Sequence, residues 1–267
     1  MTETALTKIY NAIDSFAPFC KAEEWDNCGI LLRGENENIT KALLALDITA
    51  KVIEEAQAIG AELIISHHPV IFDPIKNINC DSPVYLLAKH GISAICAHTS
   101  LDTSPNGVNK ALAERLGLKN IQALTNGKND IESSEAAFGS IGELTTELVP
   151  KAFAELVKNS LSSGGVCFTP YSGGIKKVAV CGGAGAEFML QAAQNGAQAF
   201  VTGEAKHHQL LQAQSLKIML VSAGHYATES VVLAPLREML KKALAKQGCK
   251  NIEFIVSQCE KDPALYL

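Results

Sequence analysis

Apolar residues along this chain keep two different periods, and the alternation between them outlines a fold. Leu6, Ile9, Ile13 and Phe16 recur at helical spacing and Pro18 stops the run, which predicts an opening helix. Glu24-Trp25-Asp26-Asn27-Cys28-Gly29-Ile30-Leu31 reads as a polar turn entering a short strand. Residues 41–48 are nearly all apolar over the length of a buried strand. Thr49 then stands as the cap of a helix whose apolar face is Val52, Ile53, Ala56 and Ile59, and Gly60 ends it. A strand over 63–65, a helix over 83–90 and a strand over 92–97 follow, and Val108, Leu112 and Leu116 mark a further helix closed by Gly117. Strands alternating with helices predict an α/β fold with a mostly parallel sheet.

The stretch 127–134 is polar, with Asn129, Asp130 and Glu132, and predicts a crossing between domains. Beyond it the pattern predicts a strand over 137–144, a helix started by Pro150, a strand near 166–169 and a buried strand over 177–181. A last helix over 228–246 carries Pro235 in its second turn, Gly248 closes it, and a final strand covers 252–257. The second half echoes the first. Gly60-Ala61 and Ser66 recur as Gly196-Ala197 and Thr202, each 136 positions on, and each strand runs into a histidine-bearing loop. The strand into Ala97-His98 is echoed by the strand into Gly224-His225. This predicts two similar α/β units, an internal duplication, with strand ends facing a shared crevice.

Six of the seven histidines fall in four clusters: Ser66-His67-His68-Pro69, His98 with Asp102, Glu204 with His207-His208, and His225 with Glu229. Most lie where strands stop, the usual place for ligand sites in open parallel sheets. Adjacent imidazoles on one loop can serve two metal ions. His225 and Glu229 share a face if a helix begins at His225, with the carboxylate near the positive end of its dipole. Glu229 can place one oxygen on each of two cations; Asp102 can do the same or serve one ion alone. His67, His68, Asp102, His225 and Glu229 are therefore the candidate metal ligands. This N/O set suits Zn, Fe, Mn, Co or Ni, and two such cations would activate a bridging water. The ordinary alternative makes the paired histidines turn residues and His225 a solvated cap. His98 is a candidate proton shuttle, and Glu204 a second catalytic candidate beside His207, His208 and Lys206; the alternatives are a backbone-bonded histidine and a plain helix start. Asp26 and Asp47 are further carboxylates, and Asp47 can simply cap the turn after its strand. Gly182-Gly183-Ala184-Gly185 resembles a phosphate-binding turn, but Phe188 stands where a dinucleotide fingerprint needs glycine, so NAD is not expected and a tight turn is the alternative.

Composition narrows the function. A net charge of −5 over 267 residues argues against broad phosphate-backbone binding, though not against a local basic patch. The early residues do not form a secretory signal, and the eight cysteines include no Cys-x-x-Cys pair, so reduced thiols and a cytoplasmic location are expected.

The stretches Ala22 through Gly29, Ser66-His67-His68-Pro69-Val70-Ile71-Phe72, His98-Thr99-Ser100-Leu101-Asp102, Gly107-Val108-Asn109, Val180 through Gly185, Gly203-Glu204 with His207-His208, and Gly224-His225-Tyr226-Ala227-Thr228-Glu229 stand in the order of one family. In them the chain resembles the Nif-three-like dinuclear-metal proteins, also called GTP cyclohydrolase 1 type 2 homologues. The resemblance implies two divalent cations per subunit held by His67, His68, Asp102, His225 and Glu229, with Glu229 bridging. It implies two interlocked α/β units, divided here as 1–126 plus 226–267 and 127–225, with the metal site in the crevice between them, and a toroidal homohexamer. It also implies a metal-dependent hydrolase in which water attacks the guanine ring of GTP. Ser100 and Asn106-Gly107 depart from the family's usual residues near Asp102. A phosphoesterase or nuclease acting on nucleotides or single strands, and a non-catalytic metal-binding protein that partners a regulator, are the other readings. The expected partner is a small molecule, with no membrane involved.

Overall fold

The computed structural model describes residues 4–124, 138–249 and 251–267. Its packing divides the chain into two compact units, Met1–Ser104 with Leu233–Lys261 and Pro105–Val232 with Asp262–Leu267.

The first unit opens with α1 (Ala5–Phe16), capped by Thr4, whose hydroxyl accepts from the Thr7 N–H; Leu6, Ile9, Ala12 and Ile13 form its buried stripe. Then come β1 (Gly29–Leu32), β2 (Lys41–Ala45), α2 (Ala50–Ile59), β3 (Leu63–Ser66), α3 (Pro83–Lys89), β4 (Ser93–Cys96) and the short α4 (Thr99–Asp102). Thr49 caps α2, and Gly60 closes it at φ +69°, a left-handed conformation that costs a residue with a Cβ.

The second unit runs through α5 (Val108–Arg115), β5 (Lys119–Ala123), β6 (Ser140–Leu148), α6 (Pro150–Leu161), β7 (Cys167–Phe168), β8 (Ile175–Cys181), α7 (Met189–Gln194), β9 (Ala199–Thr202), α8 (His207–Leu216), β10 (Met219–Ser222) and α9 (His225–Glu229). The chain then returns to the first unit with α10 (Leu233–Lys246) and β11 (Glu253–Val256). The units are thus interlocked in sequence.

The first sheet is ordered β1-β4-β3-β2-β11, parallel except for β1, and the second β5-β6-β8-β9-β10-β7, parallel through β8, β9 and β10. The series β1-β4-β3-β2 has the same order and directions as β7-β10-β9-β8. The register repeats too: Leu63 sits between Ala42 and Ser93, and Ala199 between Val178 and Met219. Even the strand-entry bonds match. The Glu62 carboxylate accepts from the N–H groups of Thr40 and Lys41 at 3.1 and 2.9 Å. The Gln198 side-chain oxygen accepts from those of Lys176 and Lys177 at 3.3 and 2.6 Å. The duplication read from glycine spacing is therefore present in the backbone.

In the first unit Val52, Ile53, Ala56 and Leu87 pack on Leu43, Ala45, Ile64 and Ala94. In the second, Phe153, Val157 and Leu112 cover Val178, Val180, Val201 and Val221, while Met189, Ala192 and Ala213 cover Ala179, Phe200 and Leu220 on the other face. Phe153 is fully buried, so truncating it to alanine should cost about 3–5 kcal/mol.

Two expectations change in their bounds, and one falls outside the described residues. The polar stretch 127–134 lies outside the described residues, and the packing changes over at 104/105 and 232/233 in place of 126/127 and 225/226. The reason is β5: hydrogen-bonded to β6, it carries residues 119–123 into the second sheet. The single helix over 228–246 is also broken. It runs as α9, a 3-10 turn over Ser230–Val232, and α10, whose Pro235 falls in the first turn, where a missing N–H costs nothing. Among the described residues, no helix is long and apolar enough to cross a membrane.

Candidate metal centre

In the first unit, β3 and β4 run side by side in parallel register, so the turns after them emerge together. His67 and His68 directly follow β3, and His98 lies two residues past β4. A ring nitrogen of each lies within 4.8 Å of those of the other two, which makes the three a group able to hold a metal ion. Nitrogens bound to one zinc ion lie roughly 3–4 Å apart, so little side-chain movement separates this arrangement from a coordinating one.

The protonation pattern suits that role. His67 is fully buried, and its Nδ1 lies 3.0 Å from the Ala97 carbonyl oxygen. A carbonyl only accepts, so Nδ1 carries a proton, and in the neutral ring Nε2 is then the nitrogen that can bind a metal. His68 Nδ1 donates to Asp47 Oδ1 at 2.8 Å, and His98 Nδ1 to Asp26 Oδ1 at 2.9 Å. Each imidazole thus has the partner that sets the tautomer and ring plane of metal-binding histidines. Asp102, the last residue of α4, places Oδ1 3.7 Å from His67 Nε2.

Asp26 is the most heavily used carboxylate here. It accepts from the N–H groups of Asn27 and Thr99, the Cys28 thiol and the Thr99 hydroxyl as well as from His98. Burial alone would raise its pKa; the bonds from His98, Thr99 and Cys28 outweigh that and hold its carboxyl well below the usual range. Asp47 is held from behind. Glu260, just after β11, accepts from the Leu46 and Asp47 N–H groups at 2.8 and 2.7 Å. Burial, joined by the Asp47 charge, pushes the Glu260 carboxyl up.

The second unit presents its own pair. His225 begins α9 and Glu229 ends it, so the two share a helix face; His225 Nε2 lies 3.1 Å from Glu229 Oε2. Because α9 has only five residues, Glu229 closes it, and the dipole stabilisation expected for that carboxylate does not apply. Glu229 is almost fully buried. His225 Nδ1 donates to Glu204 Oε1 at 2.8 Å, so the structure places Glu204 behind the imidazole, with its side chain largely in solvent.

The glycine-rich turn explains how Glu229 fits. Gly183 has φ +59°, and a Cβ there would stand 2.1 Å from Glu229 Oε1 and 3.2 Å from His225 Nε2. The Gly183 carbonyl accepts from the Gly203 and Glu204 N–H groups and the Thr202 hydroxyl, and its N–H donates to Thr228. The turn is therefore a tight seat beneath this chain's own carboxylate, not a phosphate cradle. His207 and His208 are exposed on the first turn of α8 and join no metal-binding group among the described residues.

The Duf34/NIF3 (NGG1p interacting factor 3) family model matches residues 4–263. A Clostridium perfringens protein named GTP cyclohydrolase 1 type 2 homolog is 35% identical over 266 residues, 97% of this chain and 98% of the relative. Its namesake from Clostridium acetobutylicum is 30% identical over 261 residues, 95% of each chain. Among solved structures, a Staphylococcus aureus hypothetical protein superposes with a TM-score of 0.90 at 30% identity over the whole of both chains. Reduced HcgD from Methanocaldococcus jannaschii superposes with a TM-score of 0.75 at 28% identity, over 96% of this chain and 98% of its own.

Proposed function

The chain belongs to the Duf34/NIF3 family, and from that membership and the geometry above we propose that it is a divalent-metal-dependent hydrolase with a dinuclear centre. His67, His68, Asp102, His225 and Glu229 would hold the ions, and His98, read from the sequence as a proton shuttle, stands with His67 and His68 in a group that could hold one as well. One observation carries the reading: three neighbouring imidazoles each spend the Nδ1 proton on a fixed acceptor, Ala97 O, Asp47 or Asp26. Such a pattern is the one that orients metal-binding imidazoles, and these three group closely enough to hold an ion.

Divalent cations at an N/O set of this kind make water a stronger acid near neutral pH and polarise a substrate oxygen. The chain's own residues do the rest. Asp26, Asp47 and Glu204 keep the imidazoles in one tautomer and one plane, and the Gly183 turn keeps the Glu229 carboxylate close to His225. As a second role we assign Glu204, whose side chain lies largely in solvent, the exchange of a proton with bulk water. The name of the Clostridium perfringens relative makes GTP the first substrate to test, with ring opening and release of formate as the reaction.

Elemental analysis of protein purified without chelators should find roughly two divalent ions per chain. His68→Ala and Glu229→Gln should each lower that content and abolish GTP turnover. Metal-free protein from a metal-replete preparation, or full metal content in both variants, would sink the proposal.

A further inference from the structure

Two exposed aromatic rings stand beside the histidine cluster. Trp25, the chain's only tryptophan, is 59% exposed, and Phe72 is 50% exposed. Their ring centroids are 5.9 Å apart with planes tilted by 47°, and the indole meets the His98 ring edge-on at 6.2 Å. Solitary exposed apolar side chains are ordinary. Two in contact, one of them against a candidate ligand imidazole, form a patch at the place where chemistry is expected.

These rings are mounted on pinned backbone. Asn27 Nδ2 donates to the Ile71 carbonyl at 2.6 Å, which ties the loop before Phe72 to the loop after Trp25. The Glu23 N–H donates to Thr99 Oγ1 at 3.0 Å, and Asp26 accepts from the Thr99 N–H at 3.0 Å and from His98. The chain on both sides of Trp25 is thus tied to the segment that carries His98, which lowers the cost of ordering the indole against a ligand.

We propose that Trp25, braced by Phe72, is the stacking platform for a planar heteroaromatic ring of the substrate and presents that ring's edge to the His98 side of the cluster. This deepens the hydrolase reading and rests on it, because it names the side chain that would hold the substrate's ring at the centre. An indole offers a wide π face, and base–aromatic stacking tolerates many bases. Trp25 therefore selects for a ring, not for one particular base.

As the sole tryptophan, Trp25 reports its own occupancy. Guanosine titrated into full-length protein, both as purified and after chelator treatment, should quench tryptophan emission saturably. Tripolyphosphate and ribose 5-phosphate, which lack a base, should not. Phe72→Ala should weaken the binding. Trp25→Leu, followed by equilibrium dialysis, should lose roughly ten- to hundredfold in guanosine affinity, and Trp25→Phe should recover most of it. Absence of saturable quenching, equal quenching by tripolyphosphate, or full guanosine affinity in Trp25→Leu overturns the proposal. Emission that changes on dilution of the protein alone does so too, because it marks the aromatics as a contact between copies of the chain. Metal content measured on the same samples separates the two readings. Lost ring binding with metal retained refutes the platform alone; ring binding by as-purified protein that holds no metal refutes the hydrolase alone.

Discussion

Asp26 and His98 stand 72 positions apart in the chain and meet through a 2.9 Å hydrogen bond. That bond fixes which nitrogen of His98 is free to bind, and the same carboxylate holds the Thr99 N–H and hydroxyl. Asp26→Asn keeps the shape but puts an amide N–H₂ among these donors. Metal affinity should fall about 10–100-fold, read by competition with a chromogenic chelator. Stability should drop by about 1–3 kcal/mol in urea titration, from the donors left unsatisfied. An affinity within twofold of the wild type would show that the bond does not orient the imidazole.

Gly183 and Gly60 provide a matched pair. Both have positive φ, +59° and +69°, but a Cβ at Gly60 meets nothing within 4 Å, whereas one at Gly183 would overlap Glu229 Oε1. Alanine at either site should cost about 1–2 kcal/mol from the left-handed backbone. Only Gly183→Ala should also displace Glu229 and lower the metal content. Equal metal content in the two variants would mean that the turn does not seat the carboxylate.

Glu55, on α2, holds the segment after β11. Its carboxylate accepts from Ser257 Oγ at 2.5 Å and from the Gln258 and Cys259 N–H groups at 2.8 and 3.5 Å. Burial pushes this carboxyl up, but those bonds outweigh it and leave the pKa below the ordinary glutamate value. A folded pKa below the unfolded one, roughly 4.3, means that the stabilisation is complete above that pH and fades as pH falls through the lower folded value. Glu55→Gln should therefore cost about 1 kcal/mol at pH 7. The gap between variant and wild type in thermal melts should close as the pH drops below the carboxylate range. A gap that stays constant with pH would place the effect elsewhere.

The candidate ligands were legible because each sits at or near the end of a strand or helix that announces itself locally. The apolar run before His67 and the i, i+4 spacing of His225 and Glu229 need no tertiary knowledge. Their supports were hidden. Asp26 reaches His98 only because Gly29 pairs with Cys96 across β1 and β4, and Glu260 reaches Asp47 from 213 positions away. Sheet register decides such meetings, and a linear chain does not display it. The strand β5 escaped notice because four of its five residues are exposed, leaving no apolar alternation to read. The 3-10 turn at Ser230–Val232 carries neither glycine nor proline to announce it. Gly182-Gly183-Ala184-Gly185 was visible as a turn, but only the fold reveals that the anion it favours is a side chain of the same molecule.

The route of the chain through its two units sets an order of synthesis. Ribosomes must make all of Pro105–Val232 before the partner of β2's outer edge, β11, can emerge. Until then the nascent first sheet carries a bare strand edge, open to mispairing with neighbouring polypeptides. Most of the nested unit, meanwhile, can collapse around Phe153 and Phe200 as soon as β10 is out. The half that begins first is the one that must wait.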